Sequence, residues 1–434
     1  MTYFFILGNN SALSVAEILN KFQPKKYSLI NKEVLKVEFS EALDEQKVIK
    51  KIGGTIKIVE LAEEISSGSS TSGELLGVVK KYLPEEFIGK FKFGFSFYGG
   101  RELDLKKTAM DVKRELKARE ISCRWIVSKG DNLSSVVVAK NKLTDAGKEF
   151  VIVFNDGKKY LGITKAVQDF EGLSFRDYNR PARDSHSGMI PPKLAQIMLN
   201  IGLQGKTNQI LLDPFCGSGT ILMEAMLLGV KKIIGSDISE KAVKNSQKNL
   251  EWVQEKFHLS KKNDFELKKG SATELLDVIK SGGINRLRKV RGKTEQRTKF
   301  TESVNRVSGG GFDEEIFQTG NSFNSIDVVV TEPYLGPQEK VQDIEKVKKD
   351  LEILYTKVIE EFRKILKDDG RVVMIWPFFK GIKEGAINPE IKGFKIVNQI
   401  PVGMEVKRTN RKTIIYGRKG QRVWREVVAL EKAN

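Results

Sequence analysis

Apolar positions recur along this chain in two periods, and the switches between them mark out its elements. Residues 3–7 are a continuous apolar run that predicts a buried strand. Val15, Ile18 and Leu19 follow at helical spacing behind Ser14, a candidate N-cap. Residues 34–39 alternate like a half-buried strand. A Gly53-Gly54 turn precedes a strand over 55–59, and Leu75, Leu76, Val78 and Val79 predict a helix. Phenylalanines fall on one face of the alternating run 91–98. A basic helix is predicted from about 103 to 118, then strands over 123–127, 135–139 and 149–154, with 160–164 closing the unit. The pattern divides into a small α+β subdomain over 1–50 and a second α+β domain over 51–165.

Residues 166–192 form a connector rich in arginine and proline, and a helix begins just after Pro191-Pro192. From 193 to 434 strands alternate with helices, which predicts a doubly wound, mostly parallel sheet with an antiparallel strand at one edge. Two apolar residues, Leu211 and Leu212, lead into Asp213-Pro214-Phe215-Cys216-Gly217-Ser218-Gly219-Thr220, and residues 221–228 read as a helix. A second strand ends at Asp237-Ile238, a third leads to Ser271-Ala272, and a fourth, 326–330, runs into Thr331-Glu332-Pro333-Tyr334. Residues 281–323 break the pattern; rich in cations and glycine, they predict an ordering-poor insertion.

Composition adds a class. Hydrophobic content of 40% and charged content of 30% suit a soluble globular protein, and no apolar run approaches the roughly 18 residues of a membrane span. The first residues lack the basic start of a signal peptide, and two cysteines provide neither a disulfide framework nor a cysteine zinc site. A cytoplasmic protein without a metal is expected; oligomeric state leaves no mark in the sequence. Against 56 acidic residues stand 74 basic ones, a net charge of +18, which favours a polyanionic partner. The basic residues are patterned. Lys106, Lys113 and Arg114 fall on the predicted helix, Arg180 and Arg183 in the connector, and Arg286, Arg288, Lys289 and Arg291 in the insertion, all candidates for the phosphate backbone of RNA.

The loop at 213–220 carries the candidate chemistry. Gly217 and Gly219 let a backbone come close to a ligand, but the third glycine of a dinucleotide fingerprint and the Walker lysine are both missing. An acid before the loop suits a cationic amino-acid tail, and Asp237, at the end of the next strand, stands where a ribose-binding acid is expected. S-adenosylmethionine fits both. Asp213, Gly217 and Gly219 would hold its methionine end, Asp237 its ribose, and Ser271 would lie near its adenine, with Pro214, Cys216, Thr220, Ile238 and Ala272 as further cofactor-binding candidates. At 331–334 the chain is close to the Asp/Asn/Ser-Pro-Pro-Tyr/Phe stretch used on exocyclic amines. There a side-chain oxygen and a carbonyl accept the amine hydrogens while an aromatic stacks on the flipped base. Thr331 or Glu332 would be the acceptor here, with Pro333 and Tyr334 completing the site.

On these motifs, and on late strands at 371–376 and 413–423, the chain resembles the THUMP-containing tRNA guanosine-N2 methyltransferases over nearly its whole length. The resemblance implies a THUMP-like α+β RNA-binding module followed by a Rossmann-like class I methyltransferase domain. It also implies S-adenosylmethionine as cofactor, tRNA as partner, and a guanosine of the tRNA body, at position 10, as target. An amine methyltransferase for DNA adenine or ribosomal RNA, or an inactive tRNA-binding relative, are the alternatives.

Overall fold

The computed structural model describes residues 1–65, 72–99, 105–128, 130, 132–155, 157–184, 189–259, 264–280, 325–337, 343–382, 385–400, 404, 409–418 and 420–433. The basic insertion, with Arg286, Arg288, Lys289 and Arg291, lies outside them. Two sheets organise the rest.

The first sheet is built from β1 (Thr2–Leu7), β2 (Lys26–Asn31), β3 (Val34–Glu38), β4 (Thr55–Ile65), β5 (Phe91–Tyr98), β6 (Cys123–Ile126), β7 (Lys148–Asn155) and β8 (Lys158–Val167). Among the described residues their order is β2-β3-β1-β4-β8-β7-β5-β6, so strands from 1–50 and from 51–165 share one sheet. The helices α1 (Ser11–Phe22), α2 (Glu45–Lys50), α3 (Ser72–Lys80), α4 (Leu105–Ala118) and α5 (Ser135–Lys140) flank it. Two sequence expectations change here. Residues 135–139, β-branched and expected as a strand, are the helix α5. The Ser134 hydroxyl caps it by accepting from the Val137 N–H, and only one of its valines, Val138, is buried. A cap and a one-sided contact outweigh strand propensity over so short a run. Asn10 rather than Ser14 caps α1. The Ser14 hydroxyl lies a turn inside and donates to the carbonyls of Asn10 and Gly54.

The connector forms α6 (Phe170–Tyr178) and enters α7 (Pro192–Leu203), whose first turn opens on proline as expected. Then come β9 (Ile210–Asp213), α8 (Thr220–Leu228), β10 (Lys232–Asp237), α9 (Glu240–Lys256), β11 (Asp264–Lys269), α10 (Leu275–Lys280), β12 (Ile326–Thr331), α11 (Ile344–Ile365), β13 (Leu366–Phe379), β14 (Phe394–Ile396), β15 (Ile414–Tyr416) and β16 (Val423–Lys432). The described order is β11-β10-β9-β12-β13-β16-β14, with β15 on β16. β16 is antiparallel to both β13 and β14, so the antiparallel strand lies inside the sheet and not at its edge. Among the described residues no helix is long and apolar enough to cross a membrane.

α7 is buried along nearly its whole length because it packs on both halves of the molecule. On the first-sheet side the fully buried Glu17 of α1 accepts from the N–H groups of Gly53 and Gly54, at 2.8 and 2.7 Å, and from the Asn200 amide of α7, at 2.6 Å. Gly53 is required there, since a Cβ would lie 2.1 Å from the carbonyl oxygen of Lys193. Burial pushes the Glu17 carboxyl up, opposed by these hydrogen bonds. Arg371 of β13 reaches back to Asn20 of α1 at 2.7 Å, fastening the second sheet to the same helix.

Candidate active site

Parallel pairing brings three strand tips to one edge. Gly235 of β10 lies beside Asp213, and Val328 and Val329 of β12 lie beside Leu211 and Leu212. Asp213, Asp237 and Thr331 therefore end their strands at the carboxyl edge, where open α/β sheets bind ligands.

The loop after β9 folds on itself. The Gly219 N–H donates to the Cys216 carbonyl at 2.7 Å, and the Cys216 N–H to the Ser236 carbonyl at 2.9 Å. Asp237 holds it with both oxygens: Oδ2 accepts from the Gly217 N–H at 3.0 Å and Oδ1 from the Ser239 N–H at 2.8 Å. From α9, Ser246 donates to the Gly217 carbonyl, and Asn249 donates to the carbonyls of Ser218 and Ala182. The two glycines have different duties. Gly219 has φ +83°, and a Cβ on it would come 2.9 Å from the Ser246 hydroxyl. Gly217 has φ +53°, and its Cβ would point into open space. Gly219→Ala is therefore expected to destabilise the protein by about 1–3 kcal/mol in urea unfolding. Gly217→Ala should cost less stability and act instead on ligand binding, measured by titration calorimetry.

Asp213 is buried. Its Oδ1 accepts from the Thr331 hydroxyl at 2.7 Å and from the Phe215 N–H at 3.2 Å. Burial pushes its carboxyl up to about 7; the two hydrogen bonds oppose the shift, and the charges of Asp237 and Glu332 add to it. Burial also pushes the Cys216 thiol up, and its sulfur lies against the Ser246 hydroxyl of α9.

The 331–334 stretch departs from expectation in register. Thr331 is fully buried at the end of β12, and its hydroxyl donates to Asp213. Glu332 is the first residue past the strand, and its Oε1 is 2.5 Å from Nε of Arg425 on β16. Pro333 is buried, while Tyr334 is 58% exposed and its carbonyl accepts from the Tyr355 hydroxyl. Ser271 hydrogen-bonds Thr273 through its hydroxyl and caps the short 3-10 turn Ala272–Glu274, in which Ala272 is buried. Ile238 is exposed beyond the tip of β10, and Pro214 is buried in the loop.

Of the basic candidates, Lys106, Lys113 and Arg114 are exposed along α4, with Arg114 paired to Asp111. Arg183 is exposed and lies over the Tyr178 ring, 5.2 Å from its centre. Arg180 is placed differently. Only 3% exposed, it donates to the Thr220 hydroxyl at the start of α8 and faces Asp177, so it braces the loop and offers no charge to a phosphate backbone. Beside it Arg176 holds the fully buried Glu224 through two hydrogen bonds. Sequence reasoning missed that pair, although a lone acid in the apolar run 221–228 was the available signal. It also missed Arg425, which no local pattern marks.

A glycine loop between two acid-tipped parallel strands, with a β-strand order of this kind, defines a class I methyltransferase domain. The profile of RMKL-like methyltransferase domains matches residues 180–400, more than half of the chain, and the chain belongs to that family. A DNA methylase profile matches residues 90–248. Two relatives called tRNA (guanine(10)-N2)-dimethyltransferase are similar over part of their length. That of Pyrococcus abyssi is 32% identical over 128 residues, covering 29% of this chain and 35% of its own. That of Methanocaldococcus jannaschii is 44% identical over 87 residues, covering 20% and 24%. The chain thus spans about a third or less of the length of either. Among solved structures, TrmN from Thermus thermophilus matches over the whole of both chains with a TM-score of 0.51 at 15% identity, a likeness of fold.

The family implies S-adenosylmethionine as methyl donor, and the residues present fit it. Open space lies over Gly217 where a Cβ would intrude, and buried Asp213 has carboxylate neighbours that favour a cationic ligand beside it. Among the described residues no three His, Cys, Asp or Glu side chains are grouped to hold a metal ion.

Proposed function

We propose that this protein is a cytoplasmic tRNA methyltransferase that places a methyl group on the exocyclic N2 of a guanosine in the tRNA body, position 10 being favoured by its similarity to the two relatives above. Residues 1–50 and 51–165 would form the THUMP-like RNA-binding front, 166–192 the connector and 193–434 the catalytic domain. The observation that carries the reading is the meeting of Asp213, Asp237 and Glu332 around one glycine loop at the carboxyl edge of the sheet.

When bound, S-adenosylmethionine supplies an electrophilic methyl carbon; the rest is the work of this chain. Asp213 would face the ammonium of the methionine end, with Pro214, Cys216, Gly217, Gly219 and Thr220 shaping the loop around it. The free lone pairs of Asp237 would meet the ribose hydroxyls beside Ile238, and Ser271 and Ala272 would border the adenine. Glu332 replaces Thr331 as the acceptor. Its carboxylate would accept an amine hydrogen, turn the nitrogen lone pair toward the methyl, and take the proton released once the N–C bond has formed. Pro333 would fix the backbone carbonyl, and exposed Tyr334 would stack on the base. Lys106, Lys113, Arg114 and Arg183 would meet phosphates. Arg180 keeps a bracing role.

The test is methyl transfer from labelled S-adenosylmethionine to unmodified tRNA, followed by nucleoside digestion and mass identification. Label in N2-methylguanosine is expected. The DNA methylase match motivates a parallel incubation with DNA; label in N6-methyladenine would replace the reading. Tight tRNA binding with no label in any nucleoside would leave a binding protein.

A further inference from the structure

The ion pair between Glu332 and Arg425 joins two distant parts of the chain at the site, one past the tip of β12 and one on β16 opposite Pro377 of β13. Its atoms are unevenly used. Oε1 of Glu332 takes Nε of Arg425 at 2.5 Å. Among the described residues this is the one side-chain hydrogen bond of the pair, which leaves Oε2 of Glu332 and both terminal nitrogens of Arg425 for another partner. Both side chains keep an opening to solvent, 12% and 11% exposed. Glu332 directly follows Thr331, whose hydroxyl donates to Asp213, and its charge helps to raise that carboxyl. A part-buried ion pair contributes little to stability by itself. What this one presents is an acceptor beside donors, each with a small exposure to solvent.

We propose that Glu332 and Arg425 read the Watson–Crick edge of the target guanine, Glu332 accepting N1–H and N2–H while Arg425 donates to O6. Arg425 is then the specificity-determining residue of the site. The inference rests on the guanosine reading above and extends it to the base-recognition step. A carboxylate takes two parallel N–H groups well, and a guanidinium supplies two donors in a fixed fork. Guanine offers two donors and one acceptor in that order, so all three bonds form together. Adenine or cytosine, presented amine-first, can satisfy fewer of them. A purine that keeps the 2-amine but lacks O6 and N1–H sets a ring lone pair against the carboxylate and leaves Arg425 unmatched. Sites built on such polar pairs reject a substrate missing its partner atoms by large factors.

The experiment compares tRNA carrying guanosine with tRNA carrying 2-aminopurine at the target position, measuring kcat/KM for each with the wild type, Arg425→Ala and Arg425→Lys. The wild type is expected to favour guanosine by about 1,000-fold or more. Arg425→Ala should lower that preference by about 100-fold, chiefly by losing rate on guanosine, and Arg425→Lys, which keeps a donor for O6, should recover much of it. Binding of S-adenosylhomocysteine should stay unchanged in both variants. Equal loss on the two substrates, or an unchanged preference, overturns the proposal while the guanosine reading stands. A wild type that marks a different nucleoside, or none, removes that reading and the proposal with it. Should the alanine variant not fold, Arg425→Met removes the same donors while keeping the stem.

Discussion

Asp213→Asn is expected to weaken S-adenosylmethionine binding by about 30- to 1,000-fold while making the folded protein more stable at pH 8. The binding loss follows from the role proposed for Asp213, a desolvated charge facing the ligand's ammonium. The gain in stability follows from the site itself. Burial holds the Asp213 carboxyl at about 7, against 3.8 in its ordinary state. An acid raised in this way contributes its stability in full below about 3.8, and loses it as the pH climbs through about 7. Above that, the fold carries a buried charge. Asparagine keeps an Oδ1 for the Thr331 hydroxyl and the Phe215 N–H without the charge. The difference between variant and parent should open as pH rises from about 4 to about 7, reaching up to about 4 kcal/mol. Urea unfolding at pH 5 and pH 8 checks the stability, and titration calorimetry with S-adenosylhomocysteine checks the binding. Wild-type affinity should itself fall about tenfold per pH unit below 7, since the ligand's cation and the proton compete for one carboxylate. Equal stability of the two proteins at both pH values would show that Asp213 is not held protonated.

Glu149→Ala is expected to cost about 3–5 kcal/mol of folding stability. Lys57 of β4 and Glu149 of β7 meet at 2.5 Å in the middle of the first sheet, both fully buried. Ser96 and Thr164 donate to the same carboxylate. Without Glu149 the Lys57 ammonium has lost its counter-charge in a dry sheet. Burial already pulls the Lys57 amine down. In the variant the folded state therefore binds fewer protons than the unfolded one, so stability should climb as pH is raised toward 10. The double replacement Lys57→Met with Glu149→Leu should restore most of the loss, because well-packed apolar pairs often match buried ion pairs. Chemical unfolding of the three variants at pH 7 and pH 9.5 is the measurement; a double variant as weak as the single one would mean that the cost is shape and not charge.

Much of the second sheet was legible because it announces itself in one dimension. An apolar strand, an acid and two glycines in a row can be read without neighbours, and Asp213, Gly217, Gly219 and Asp237 stand together as their order suggested. What the sequence conceals is set by contacts between distant residues. Thr331 and Glu332 compete for one role on paper, and only the parallel register of β12 beside β9 shows that the Thr331 hydroxyl meets Asp213 while Glu332 meets Arg425. Arg180 sits in a run of cations and reads like its neighbours until Thr220 is found beside it. Residues 135–139 have the composition of a strand, and a single serine hydroxyl in front of them decides otherwise.

Glu17 has a consequence for how this molecule can be divided. One carboxylate ties the turn at Gly53-Gly54 to the amide of Asn200, and so closes a ring through α1, the first sheet and the central helix of the second. Cutting the chain in the connector would strip that carboxylate of one partner and expose the apolar flank of α7 on the other fragment. The two sheets are in this sense one body, held at a spacing that Glu17, Asn200, Arg371 and Asn20 set between them.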